Sequence, residues 1–301
     1  MNLVQVPHKP VLRTRTLAIV VAVVLAGCTP HRDDTDLAPT SPSQPRIPFT
    51  GLTQDMRIRW SSDPGIDLLT GPAVIVRAYR ESYILGGLMA SPSYYYPGFE
   101  HAVPQNNHGS NIAVRPLIAG DRELASSGFQ ITAPIVGTWR QHLLSLTGDP
   151  SSGYTAIVCD WSYATAVQQA DNQYRYPHRL PPEPLDTATP ITGTLPVRIT
   201  LTPPPSSDTG HTTPRQRGDA PSPAGDVFDG WKIRSAIHLP TEFYPDEPDD
   251  WSKAQYGRDQ LACRDKAPDS YEKRKVYLMG EHPRSDYPTL PADPGWPAAG
   301  S

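Results

Sequence analysis

The chain has 301 residues, enough for one domain of ordinary size, and its 31 acidic and 27 basic side chains leave a formal charge of −4. That acid excess argues against a nucleic-acid partner and against electrostatic docking on anionic lipid, both of which call for a basic surface. Thirty-six prolines, more than twice the usual share of ~5%, confine regular structure to the stretches between proline clusters.

The first element is a leader. Residues 1–16 carry Lys9, Arg13 and Arg15 and no acid, and Leu17 to Ala26 is an unbroken apolar run. A membrane-spanning helix needs roughly 20 apolar residues, and this run is half that, the length of a signal-peptide core. It ends in Leu25-Ala26-Gly27-Cys28, which resembles the bacterial lipobox at all four positions. The resemblance implies that residues 1–27 are removed as a lipoprotein signal peptide. Cys28 then carries a thioether-linked diacylglycerol, and the protein is held on the extracytoplasmic face of the cell membrane. Acyl chains contribute about 0.8 kcal/mol per buried CH2, so two or three of them anchor a domain durably. Cleavage lowers the basic count from 27 to 24 and removes no acid, a mature balance of −7. The membrane contact is therefore expected to be the lipid alone.

With Cys28 acylated, Cys159 and Cys263 are the remaining cysteines of an exported chain. In an oxidising compartment they most simply pair with each other; two buried free thiols are the alternative.

Residues 28–51 are rich in Pro, Ser and Thr and read as a semi-rigid tether. Residues 52–240 are expected to form the domain, with a Pro-rich insertion at 177–223, and 241–301 a C-terminal extension wrapping it. Ile58 and Trp60 mark a short entry segment. Thr70 is placed to cap a helix with Pro72 in its first turn, and Val76, Tyr79, Tyr83 and Leu88 follow at helical spacing. Gly86-Gly87 suggests a close approach by another element, and Ser91-Pro92 ends the helix. A second short helix is expected from Phe99 to Val103. The period then changes. A β-rich run covers Phe129 to Trp139, and Tyr154 to Tyr163 is the strongest strand. Pro196–Thr202 alternates, and Trp231–Ile237 alternates after the Asp229-Gly230 turn. Helices followed by about four antiparallel strands predict an α+β fold, the N-terminal helices packed on a curved sheet.

That order, with the Tyr79/Tyr83 helix, the meander and Asp229-Gly230-Trp231, resembles the nuclear-transport-factor-2-like cone family over residues 70–238. The resemblance implies a cone-shaped pocket and no residue-by-residue role, because that fold hosts isomerases, dehydratases and binding modules alike.

The chemistry-bearing motifs are few. No dinucleotide or phosphate loop, zinc-protease helix, calcium loop or nucleophile elbow is present, so no cofactor and no metal are expected. Gly148–Gly153 reads as a hairpin turn. Among the histidines, His101, His142 and His238 fall in the regions expected to fold, each expected to be a surface or hydrogen-bonded histidine. Asp160 is the acid of most interest. In a pocket it is a general base, with Tyr83 and His142 as partners; strand alternation instead points it to solvent, opposite Cys159 and Trp161. Tyr94-Tyr95-Tyr96 offers a stacking surface for sugars or, more simply, a hydrophobic plug. Asp246, Glu247, Asp249 and Asp250 are interrupted by prolines and read as the acidic start of a helix at Trp251–Cys263. Lys273-Arg274-Lys275 is a short basic patch.

Three functions follow. The first is a non-catalytic, lipid-anchored module that binds an envelope protein or a small hydrophobic ligand. The second is an extracytoplasmic hydrolase or isomerase using Asp160, Tyr83 and His142, and the third is a glycan-binding module using the tyrosine run.

Overall fold

The computed structural model describes residues 48–106, 114–118, 131–177, 193–205, 214–244 and 250–300. All belong to the compact unit Gln44–Ser301. The leader, Cys28 and most of the tether lie outside the described residues, as do 178–192 and 206–213 of the expected 177–223 insertion, whose middle is a strand of the sheet (Thr194–Thr202) and so is not an insertion.

The entry segment is a full strand, β1 (Asp55–Ser62), whose alternating Met56, Ile58 and Trp60 are buried. Helix α1 (Gly71–Met89) follows with Pro72 in its first turn, as its periodicity predicts. Thr70 precedes it but does not cap it; its hydroxyl donates to Asp67 instead, at 3.1 Å. Fifteen of the 19 residues of α1 are buried, so the helix runs through the protein and is not a one-sided surface helix. Gly86 is where Tyr95 crosses it: a Cβ there would sit 2.2 Å from Tyr95 Cε1. The short helix α2 (Phe99–Ala102) comes next.

Strand β2 (Ile135–Asp149) organises the sheet. It pairs in parallel with β1, the antiparallel rule being relaxed because α1 and α2 form the crossover between them. Its other edge carries β3 (Gly153–Trp161) and β4 (Thr165–Gln168) end to end. Gly137, at φ +101°, permits the close pass between them, since a Cβ would lie 2.3 Å from the Ala164 carbonyl. The hairpin at 148–153 is as expected, with Asp149 Oδ1 accepting from the backbone of Ser151 and Ser152.

β5 (Gln173–Arg175), β6 (Thr194–Thr202), β7 (Lys232–Ile237) and β8 (His282–Pro283) complete the order β7-β6-β3-β2-β4-β5-β8. The fold is α+β with an open sheet of eight strands, every pairing except β1–β2 being antiparallel. The expected four strands undercount it. β1 and β8 are edge strands with partners far along the chain, and β4 and β5 are short strands of four and three residues.

Both faces of the sheet are covered. Trp139, Leu143, Val158, Ile199 and Ile237 pack against α1 and α2 in the main core. Cys159, Trp161 and Tyr163 face the opposite way, toward α3 (Lys253–Asp265) and α4 (Tyr271–Leu278). Helix α3 starts later than expected and is capped by Ser252, whose side chain accepts from Gln255 N while Gln255 answers the Ser252 N–H. There is no acid in its first turn, and 245–249 lie outside the described residues.

The Cys159–Cys263 disulfide is formed, tying β3 to the last turn of α3 across 104 residues. Beyond α4 the chain returns along β1. Thr138 Oγ1 donates to the Pro288 carbonyl at 2.7 Å, Trp60 N to the Asp293 carbonyl at 2.7 Å, and Trp296 enters the main core fully buried.

Candidate functional site

The three residues considered for catalysis separate into two places. Asp160 does not face solvent. It lies on the α1 side of β3, its side chain 12% exposed, ion-paired with Arg80 (6% exposed) and accepting from Trp139 Nε1. Alternation along β3 does oppose Asp160 to Cys159 and Trp161, but a second layer covers each face, so neither is open. Tyr83 joins this centre through Arg80, whose guanidinium lies 5.2 Å from its ring centroid. Burial raises the Tyr83 pKa above its ordinary value, so the phenol stays protonated. The group is an arginine clamp, a charge pair made inside the protein and satisfied there.

His142 is on the opposite face, stacked on Trp161 with centroids 5.5 Å apart. Its Nδ1 lies 2.8 Å from Ser61 Oγ and its Nε2 3.0 Å from Asp63 Oδ1. Serine, histidine and aspartate in a row invite a nucleophile reading. However, Asp63 Oδ1 also takes Lys266 Nζ at 2.7 Å, so its charge is shared between a lysine and the imidazole and is not reserved for His142 as the acid of a triad is. Burial pushes the His142 pKa down, partly offset by Asp63. Burial alone would raise the Asp63 pKa, but hydrogen bonds from Lys266 and His142 bring it below the ordinary carboxylate range. The constellation is a clasp joining the end of β1 to β2 and to the residue that follows α3.

A third polar group escaped sequence reading. Glu81, fully buried on α1, accepts from Trp60 Nε1 (2.7 Å), Tyr96 Oη (2.7 Å) and Trp296 Nε1 (2.8 Å). Burial raises its pKa, and Arg77, stacked 4.2 Å from the Trp296 ring, works against that. An i, i+4 Arg/Glu pair on an otherwise apolar helix was the available signal. This group also decides the tyrosine run. Tyr96 is locked to Glu81, and Tyr95 stacks on Phe99 at 4.2 Å. Both are buried and only Tyr94 is half-exposed, so the run is a plug and does not form a sugar platform.

A cleft of about 410 Å³ lies where α3 turns into α4. Arg264, Asp265, Asp269, Ser270 and Arg274 line it, the last from the patch at 273–275. Asp269 accepts from Tyr163 Oη (2.9 Å), Arg140 (3.2 Å) and Lys273 (2.6 Å). Burial opposes its charge, but hydrogen bonds from Lys273 and Tyr163 and the Arg140 charge overcome this and lower its pKa. Asp265 pairs with Arg264 at 2.8 Å. Arg274 is only 3% exposed; its Nη1 donates to the Asp269 carbonyl and its Nε is buried without a partner among the described residues. Burial lowers its pKa and Arg264 adds to that, while Tyr163, Asp269 and Asp265 work the other way.

Among the described residues no group of His, Cys, Asp and Glu is arranged to hold a metal, and no helix is long and apolar enough to cross a membrane. His101 and His238 join neither the Asp160 nor the His142 group; His238 faces Tyr244, its Nδ1 3.4 Å from the phenol oxygen. Comparison with protein-family models, curated proteins and solved structures found no match to the chain.

Proposed function

We propose that this is a lipid-anchored protein of the cell envelope, exposed on the extracytoplasmic side, whose folded part is a non-catalytic binding module. The observation that carries it is the arithmetic of sulfur. The chain has three cysteines, and Cys159 and Cys263 are bonded to each other, which leaves Cys28 in its lipobox setting as the thiol available for a thioether. A buried, long-range disulfide also suits an oxidising compartment. The binding reading is favoured over the catalytic one because Asp160 and Tyr83 are tied up around Arg80, His142 stands on the other side of the sheet, and the open cleft is elsewhere. The resemblance to nuclear-transport-factor-2-like cones is compatible with it, since that fold serves binding modules as well as enzymes.

The test is the intact mass of membrane-extracted protein, wild type beside Cys28→Ala, before and after reduction. The expected species begins at Cys28, carries acyl mass that the variant lacks, and gains about two protons on reduction. An uncleaved, unacylated chain would overturn the proposal.

A further inference from the structure

We infer that the cleft between α3 and α4 binds the phosphate of a small organic phosphate, with Arg274 as its anchor. This deepens the binding-module reading and rests on it.

The charge balance around the cleft comes first. Arg264 and Arg274 line it with the carboxylates of Asp265 and Asp269, and Arg140 and Lys273 reach Asp269 from outside the lining. Both carboxylates are already matched, Asp265 by Arg264 and Asp269 by Arg140, Lys273 and the Tyr163 hydroxyl. Arg274 feels the charges of Asp269 and Asp265 but forms no ion pair with either among the described residues. Its single hydrogen bond among the described residues goes to a backbone carbonyl, which accepts a proton donor but supplies no counter-charge. A guanidinium that is almost wholly buried, with its Nε unpartnered and no direct ion pair among the described residues, is costly to maintain for structure alone. Its planar fork matches the oxygens of a phosphate, which would give it a direct ion pair.

The second consideration is the setting. α4 begins at the cleft, with Ser270 as its cap, so the positive end of the helix faces the same space. The third is size. A volume of about 410 Å³ falls in the range of small-molecule sites, roughly 300–1,000 Å³, and leaves room for an organic group beside the phosphate. Such a phosphomonoester can come from a soluble metabolite or from a lipid headgroup at the membrane to which Cys28 would hold the protein.

Calorimetric titration of the full chain with glycerol phosphate, and separately with dihexanoyl phosphatidic acid, distinguishes the two sources because both carry the same phosphomonoester. Binding of glycerol phosphate assigns a soluble ligand; binding of the phosphatidic acid alone assigns a lipid headgroup. In either case Arg274→Gln should weaken binding at least about tenfold, the loss of one charge-assisted contact. Arg264→Ala, on the half-exposed last turn of α3, should weaken it as well, and this variant carries the test should Arg274→Gln fail to fold. Heat from neither titrant, or binding that both variants leave unchanged, overturns the inference. Neither result bears on the anchor, which stands on the mass of the acylated chain.

Discussion

Asp160 shows how little a residue's chemistry says until its surroundings are known. Its carboxylate meets Arg80 and the Trp139 indole in a site that water barely reaches. Replacing it by Asn leaves Arg80 buried and uncompensated, which costs about 3–5 kcal/mol. Urea unfolding of Asp160→Asn should show that loss; a change below about 1 kcal/mol would mean the pair is not closed as described. His142 yields a pH prediction. Its pKa in the folded protein lies below the ordinary 6.5, so the unfolded chain binds the proton more readily. Its contribution to stability is complete above about pH 6.5 and is lost as the pH falls from there through the lower folded value. Asp63 reinforces this further down, because a lowered carboxylate pKa also loses stability on acidification. His142→Gln should flatten the decline of melting temperature between about pH 6.5 and 5, leaving the steeper carboxylate loss below. An unchanged profile would exclude the clasp as its source.

At the scale of elements, α1 is the most sensitive. Gly86→Ala drives a Cβ into the buried Tyr95 ring, which is itself stacked on Phe99 and cannot swing aside. Overpacking of this kind costs about 1–3 kcal/mol, even though alanine is the better helix former. A stabilised Gly86→Ala in thermal unfolding would refute the crossing. The same elements mark what was legible beforehand. α1 could be read because Pro72, the apolar spacing and Ser91-Pro92 are all local signals. β3, β6 and β7 could be read because β-branched alternation is local too. β4, β5 and β8 could not, for they have two to four residues each, too few to show a period. Asp160 was misplaced because alternation reports which side of a strand a residue takes, and nothing in it reveals that α3 and α4 fold back over the second side. The cleft was hidden likewise. The basic patch at 273–275 was visible, whereas the placement of Arg274 over the Tyr163 ring is a long-range fact.

For the whole molecule, the Cys159–Cys263 bond joins the layers. It closes a loop of 104 residues, and on the chain-entropy account a loop near that length contributes about 2–5 kcal/mol. Reduction, or the double Cys159→Ser, Cys263→Ser variant, should lower stability by that amount in denaturant titration, and hydrogen exchange should quicken first in α3 and α4. Equal protection across both layers after reduction would contradict this.

Glu81 waits for Trp296. The carboxylate and its indole donor are 215 residues apart, and Arg77 stacks on the same ring. A chain delivered from its N-terminus presents α1 long before the segment that completes its surroundings arrives. Until then Glu81 lacks one of its three donors and Arg77 lacks its aromatic shelf. The main core is therefore a late event in the life of the nascent chain. Synthesis that stops short of Trp296 would leave a charged, partly built interior for chaperones and proteases to find.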